Sequence, residues 1–311
     1  MYDKVKLYMP NTGSNPDIKQ YLSNGKEQID MSTGEVSVFG YLEGLKVCVY
    51  VDGFSIIGSL SKYLYPSNLY PLDRHSTTEA IQKMSDNLHV DMKVANVTSL
   101  EFGTQFVMRK PVNVYLRKME NAPRLQRCMF TPDTLYYRPR GKQNSKVLCF
   151  YDKGADARAK GLTIPVGLED ANLLKYEMRL QERLPKQLNV AAVTASMLSE
   201  RPFYSMLVDK WQANYFSISK SNQLKTDSMS GIKTPKDALE MLFARCLNQI
   251  DQSKIDEYIE ELKAANVFND RKAYTRVKSK INEVAHKSEF HVTDDDIREL
   301  DDEIKNTGAY I

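Results

Sequence analysis

Two hydrophobic periods divide the chain near residue 217, a β-type alternation mixed with short helical runs before it and a helical period after it. Residues 11–34 are rich in Asn, Gly, Ser and Asp and read as loop. From Glu35 onward EVSVFGYL, LKVCVYV and SIIGSL are β-rich, with alternation clearest at Val47, Val49 and Val51. Gly44 and the Asp52–Gly53 pair punctuate these runs, and Asp-Gly between two β runs is a hairpin signal. An antiparallel meander over residues 35–60 is therefore expected. Residues 76–88 (STTEAIQKMSDNL) predict a helix with Ser76 and Glu79 as a capping box and Ala80, Ile81, Met84 and Leu88 on its apolar face. A strand is expected around 93–102 and a short helix over 111–120, with Pro111 near its start. RLQRCMF, TLYYR and KVLCFY follow as β stretches, ADARAK as helix, and NLLKYEMRL alternates again. Residues 183–216, with the sole tryptophan Trp211, read as helical.

Residues 218–230 form a polar linker. Beyond it Leu239, Leu242, Phe243, Cys246, Leu247 and Ile250 keep a 3.6 period, as do Ile255, Tyr258, Ile259 and Leu262, and then Tyr274, Val277, Ile281 and Val284. Thr293 is the expected cap of a last helix whose first turn is acidic, which suits the positive end of a helix dipole. The pattern predicts an α+β domain over 1–217, mainly antiparallel sheet flanked by helices, and a small all-helical domain over 231–311.

Sorting the alternating strands by face exposes candidate chemistry. In LLKYEMRL, Leu174, Tyr176, Met178 and Leu180 share one face, and Lys175, Glu177 and Arg179 the other. In VTSLEF, Leu100 and Phe102 oppose Ser99 and Glu101; in KVLCFY, Leu148 and Phe150 oppose Val147, Cys149 and Tyr151. If these strands are neighbours, Glu101, Glu177 and Tyr151 converge, and the two carboxylates suit a hard divalent cation such as Mg²⁺ or Mn²⁺. An antiparallel sheet with one wet face shows the same pattern without any function. The histidines His75, His89, His286 and His291 form no HxH or HxxxH pair, and no P-loop, dinucleotide fingerprint or G-x-S-x-G motif occurs.

Charge sharpens the picture. Residues 105–146 carry ten basic and two acidic side chains, net +8, whereas 231–311 carry thirteen basic and seventeen acidic, net −4. The basic block predicts a polyanion partner, with Arg109, Lys110, Arg117, Lys118, Arg124, Arg127, Arg138, Arg140 and Lys142 as phosphate contacts. Phe106, Tyr115, Phe130, Tyr136 and Tyr137 are interleaved with them, as rings that stack unpaired bases are. The four cysteines are far apart without a CxxC, as expected of reduced thiols in a cytoplasm. No apolar run approaches the roughly 20 residues of a membrane helix, and the N-terminus lacks a signal-peptide core.

Several stretches in order resemble the phage and plasmid replication initiators of the filamentous-phage gene-two/gene-ten type. They are MYDKVKLYMP, GSLSKYLYPSNLYPL (58–72), EAIQKMSDNLHVDMKVANVTSLEFGTQF (79–106), PVNVYL, TLYY (134–137), VLCFYDKGADA (147–157) and NLLKYEMRLQERLPKQL (172–188). The resemblance spans roughly residues 1–217. It implies a relaxase-like fold and a nickase of rolling-circle replication, in which a tyrosine attacks one origin strand and leaves a 5′-phosphotyrosyl enzyme and a free 3′-OH. The nucleophile then falls on Tyr151, metal-binding acids on Glu101, Glu177 and Asp156, and supporting cations on Lys153 and Arg179, with Tyr136 among the DNA contacts. The sequence has Glu where some relatives have Asp, and Asp156 where many have Glu. GADARAKG also departs from the lysine- and glutamate-rich stretch expected there. The resemblance further implies origin DNA as partner, single-stranded or melted, and the bacterial host cytoplasm as location. A host helicase or polymerase and a second copy of the chain are further expected partners, and the C-terminal helices suit contact with a helicase, origin binding, dimerisation or a plain capping role.

The alternatives are a DNA-binding replication protein without catalysis, which forms no covalent adduct, and a metal-dependent nuclease that uses water and leaves no protein on the DNA end. A relaxase or transposase shares the chemistry with a different task.

Overall fold

The structure is a computed structural model that describes residues 1–13, 15–141, 145–220, 223–224, 232–247, 250, 252–285, 291–292 and 294–307. Its contacts fall into two compact units, Met1–Lys220 with Glu299–Ile311, and Ser221–Arg298.

Ten antiparallel strands form one sheet in the first unit: β1 (Tyr2–Pro10), β2 (Ser23–Ile29), β3 (Val36–Leu42), β4 (Leu45–Val49), β5 (Gly53–Ser59), β6 (Asn96–Met108), β7 (Leu125–Thr131), β8 (Thr134–Pro139), β9 (Lys146–Asp152) and β10 (Asn172–Leu180). Their order is β2-β3-β4-β5-β1-β6-β10-β9-β8-β7. The meander over 35–60 is present as β3, β4 and β5, with Tyr50 N–H donating to Gly53 C=O at the Asp52–Gly53 turn. The helices of this unit are α1 (Leu60–Leu64), α2 (Arg74–Leu88), α3 (Val112–Arg117), α4 (Lys153–Ala159), α5 (Leu184–Leu188) and α6 (Arg201–Phe216).

The main core lies on one face of the sheet. Leu174, Tyr176, Met178 and Leu180 of β10 are fully buried there against Trp211 and Tyr215 of α6, in the alternation the sequence shows. Tyr176 stacks between Phe150 and Trp211, with ring centroids 4.3 Å and 4.7 Å away, and its hydroxyl donates to Trp211 C=O. Ala80, Ile81, Met84 and Leu88 of α2 join the same core.

Four local expectations change. Residues 23–29, read as loop, form β2, whose seven side chains are all exposed; an outer strand with no buried face shows no alternation. Helix α2 begins at Arg74, and its capping box joins Asp73 to Ser76, because Asp73 accepts from Ser76 N–H while Ser76 Oγ accepts from Asp73 N–H. The helical reading of 183–216 breaks into α5 and α6, with Asn189 in the left-handed conformation ending the first. The strand expected near 93–102 runs on to Met108.

The second unit contains α7 (Pro235–Leu247), α8 (Gln252–Ala264), α9 (Arg271–Ala285), the short strands β11 (Gln223–Leu224) and β12 (His291–Val292), and the start of α10 (Asp295–Asn306). Met241, Ala244 and Val284 make its small core. The sequence reading put all of 231–311 in this unit, but from Glu299 onward α10 groups with the sheet unit. Leu300 and Ile304 are fully buried in the main core, and Asp301 accepts from Tyr215 Oη. Thr293, most of 218–230 and His286 lie outside the described residues.

Candidate active site

β6, β10 and β9 are consecutive in the sheet, so the three strands sorted by face are neighbours. In the pairing register Arg179 lies opposite Glu101 and Val147, Glu177 opposite Gly103 and Cys149, and Lys175 opposite Gln105 and Tyr151. One face of the central sheet therefore carries Glu101, Lys175, Glu177, Arg179 and Tyr151 together.

This face is not wet at its centre. Lys175 is 5% and Glu177 1% exposed. α4 and the segment before α2 cover it, through an apolar patch of Leu69, Ala157 and Leu173. Burying a charge costs several kcal/mol unless it is paired, so each buried ion here must have partners. Glu177 accepts from Tyr151 Oη at 2.9 Å through Oε1, and from Arg179 Nη2 at 2.8 Å and Nε at 3.1 Å through Oε2. Lys175 Nζ lies 3.6 Å from Glu177 Oε1 and 3.4 Å from Asp3 Oδ2. Asp3, on β1, also accepts from Ser59 Oγ and Asn68 Nδ2. Lys153, 1% exposed, donates to Asn68 Oδ1 at 2.9 Å and to Asp156 Oδ2 at 3.3 Å.

The ionisation states follow from this wiring. Burial raises the Tyr151 phenol far above its ordinary value, and the Glu177 and Asp3 carboxylates add to the rise. The phenol is therefore neutral and donates to Glu177. Burial works to raise Asp3, but Lys175, Ser59 and Asn68 hold it below the ordinary carboxylate value. Burial works to lower Lys175, but Asp3 and Glu177 hold it above its ordinary value and charged. Burial, with Lys175 nearby, lowers Lys153. Glu101 is pushed up to about 7, mainly by burial, with Glu177 and Asp3 adding to the effect and Arg179 opposing it. Burial also takes the neighbouring Cys149 thiol up to about 12, so it is inert as a nucleophile at neutral pH.

Gly103 permits this close packing. A Cβ built there falls against the backbone carbonyl of Tyr176 and 2.8 Å from Glu177 Cα, so any side chain forces β6 and β10 apart beside the paired carboxylates. A cleft of about 480 Å³ opens at the edge of the cluster, lined by Thr134, Tyr136, Tyr151, Asp156, Lys160 and Arg179 among others.

All three acids expected to bind a metal are engaged by protein cations. Glu101 Oε1 and Glu177 Oε2 lie 3.7 Å and 3.1 Å from the same atom, Arg179 Nε, so one guanidinium bridges two carboxylates from adjacent strands. That guanidinium already neutralises the two carboxylates the sequence offers to Mg²⁺ or Mn²⁺. Asp156 is likewise engaged: its oxygens are taken by Lys153 and, at 2.6 Å, by Lys160. Among the described residues no group of three or more His, Cys, Asp and Glu side chains is arranged to hold a metal.

The basic block also divides. Arg127 donates from Nε to Met119 C=O and from Nη2 to Leu116 C=O, so it closes the C-terminal end of α3. Arg109 pairs with Glu299 at 3.1 Å. Lys110, Arg117, Arg124 and Arg140 are exposed, Lys118 and Arg138 are half-buried, and Lys142 lies outside the described residues. Of the interleaved aromatics, Phe106, Tyr115 and Tyr137 are core residues at 5%, 0% and 0% exposure, which corrects their reading as base-stacking rings; Phe130 and Tyr136 remain accessible. Sequence reasoning missed Asp3, Asn68 and Lys175 as members of the cluster. Lys175 was visible as a lysine between two buried apolar residues, but Asp3 and Asn68 join only through the fold.

A family model for the N-terminal part of the phage gene-two replication-associated protein matches residues 1–200. No curated protein matches the chain. No helix among the described residues is long and apolar enough to cross a membrane.

Proposed function

Because the chain belongs to the filamentous-phage gene-two type of replication initiator, we propose that it starts replication by nicking one origin strand with Tyr151. The observation that carries this reading is the Tyr151–Glu177 hydrogen bond inside a buried charged cluster that opens onto a cleft. A buried carboxylate on a phenol proton is the arrangement a tyrosine nucleophile needs, since an unperturbed phenol ionises near 10 and is otherwise inert at neutral pH.

In the proposed step Tyr151 Oη attacks the scissile phosphorus while its proton passes to Glu177 Oε1. The Oη–P bond forms as the P–O3′ bond breaks, and the 3′ oxygen leaves as a hydroxyl after taking up a proton from solvent. Arg179 faces the negative charge that gathers on the phosphoryl oxygens, and Lys175 offsets the charge change beneath the phenol. Lys153 and Asn68 hold Asp156 and Asp3, which fixes the floor of the site. Glu101 is the carboxylate that would hold Mg²⁺ or Mn²⁺, which neutralises phosphate charge when bound, because Glu177 is committed to the phenol proton and to Arg179. The phosphotyrosine keeps the energy of the broken bond, so the strand can be rejoined without ATP.

The test is a denaturing gel of the full chain with end-labelled single-stranded oligonucleotides covering the origin of its own replicon, with Mn²⁺ or Mg²⁺. A labelled protein band that disappears in Tyr151→Phe supports the reading. Cleavage without an adduct that persists in Tyr151→Phe makes the protein a hydrolytic nuclease, and binding without cleavage makes it a non-catalytic DNA-binding protein.

A further inference from the structure

The β7–β8 hairpin at the sheet's edge carries an arrangement the nicking step does not use. The register shifts between Met129 and Thr131, which leaves Phe130 out of the ladder and 59% exposed. Its ring meets Tyr136 edge-on at 5.2 Å. The Arg138 guanidinium lies over both rings, 4.9 Å from the Phe130 centroid and 4.6 Å from that of Tyr136. Arg179 lies 5.7 Å from the Tyr136 centroid on its way to Glu177. The row Phe130, Arg138, Tyr136, Arg179 therefore leads from solvent into the cleft that contains Tyr151.

We propose that Phe130, Arg138 and Tyr136 form a stacking subsite for one unpaired nucleobase next to the scissile phosphate. The inference rests on the nickase reading for its position relative to the nick.

Three observations carry it. First, rings and guanidinium planes are the surfaces on which unpaired bases stack, with cation–π attraction adding to the contact. A lone exposed phenylalanine is ordinary, but this one is packed against a guanidinium that also faces a second ring. Second, the other aromatics of the basic block are locked in the core, so base stacking in this block falls to these two rings. Third, the charge complements a polyanion: Arg138 and Arg179 lie in the row, and Arg140 is exposed two residues beyond Arg138. A base inside a duplex is stacked on both neighbours and has no free face for the Phe130 ring, so the subsite selects single-stranded or melted DNA.

A tryptophan reporter tests this. Trp211, the only tryptophan of the chain, is fully buried and gives a constant background. The probes are oligothymidylate and a duplex of the same length, with the full-length Phe130→Trp protein. The expected result is quenching of the new emission by oligothymidylate and none by the duplex. Phe130→Ala is expected to weaken oligothymidylate binding about tenfold, as the loss of one stacked base does, with thermal unfolding confirming that the exposed substitution leaves the fold intact. Absence of quenching, equal quenching by the duplex, or Phe130→Ala binding within twofold of wild type would overturn the proposal. The adduct gel is read separately. An adduct without stacking removes the subsite and leaves the nickase, and stacking without an adduct does the reverse.

Discussion

Tyr151 Oη and Glu177 Oε1 are 2.9 Å apart on adjacent strands, the tyrosine offset by one same-face position from the glutamate across the β9–β10 pair. The hydrogen bond is maintained from below, because Lys175 lies opposite Tyr151 in the register and reaches the same carboxylate oxygen. The expected consequence is a separation of chemistry from folding. Tyr151→Phe should abolish the covalent protein–DNA adduct while lowering unfolding free energy by only about 1.5–3 kcal/mol, the worth of one hydrogen bond to a buried carboxylate. Glu177→Gln should keep single-strand binding but slow adduct formation by about 10²- to 10⁴-fold, the usual contribution of a positioned base. Single-turnover kinetics on labelled oligonucleotides check both.

Lys175 should matter to stability as much as to the proposed chemistry. Lys175→Met leaves Asp3 and Glu177 as buried carboxylates with a missing counter-charge, and breaking a buried ion pair this way costs about 3–5 kcal/mol. Adding Asp3→Asn should recover part of that loss, because one of the two orphaned charges is removed. A double-mutant cycle by urea denaturation reads the coupling. Simple additivity of the two losses would show that Lys175 and Asp3 do not act as a pair.

Glu101 predicts a pH signature. Its native value of about 7 lies above the ordinary 4.5, so the folded state holds a proton that the unfolded chain releases earlier. Below about 4.5 both states are protonated and this group adds no pH dependence. As pH rises from there to about 7, ionisation favours the unfolded chain and stability falls. Glu101→Gln mimics the protonated form. It should stabilise the protein by on the order of 2–3 kcal/mol at about pH 8, with the gain fading to nothing near pH 4.5. Denaturation midpoints across this range check it, and an equal effect at both ends would contradict the assignment.

Strands with one buried face were legible in the sequence; what covers the other face was not. The alternation of NLLKYEMRL gives the bounds of β10 and its core side. The burial of Lys175 and Glu177 depends on α4 and the Leu69 segment folding over them, which no local period encodes. Glu101, Glu177 and Tyr151 fall on one face by parity alone, yet their convergence needed the strand order. β2 left no trace because an all-exposed edge strand has no apolar period. The acidic helix α10 read as part of the second unit because its charges dominate its composition, although Leu300 and Ile304 dock in the first.

That docking makes the last helix part of the sheet unit's stability. Leu300→Ala should cost about 2–5 kcal/mol, as expected for a buried leucine. Truncation before Glu299 should also remove the acceptors of Tyr115 Oη and Tyr215 Oη and lower the melting temperature of residues 1–220. An unchanged melt would show that α10 adds nothing to the core.

The basic block yields a prediction that separates DNA contacts from structural arginines. Each phosphate neutralised on duplex DNA contributes about −0.9 to the slope of log affinity against log salt, so about five contacts predict a slope of roughly −4 to −5. Arg117→Gln and Arg140→Gln remove exposed cations and should each reduce the magnitude of the slope by about one, with little effect on stability. Arg127→Gln should behave in the opposite way. Its guanidinium is engaged with the Met119 and Leu116 carbonyls, so its loss should leave the slope unchanged and destabilise the α3–β7 connection by about 1–3 kcal/mol. Salt titrations of binding, paired with thermal melts of the same variants, check both halves. A flat salt response in the wild type would mean that the DNA surface lies elsewhere on the molecule.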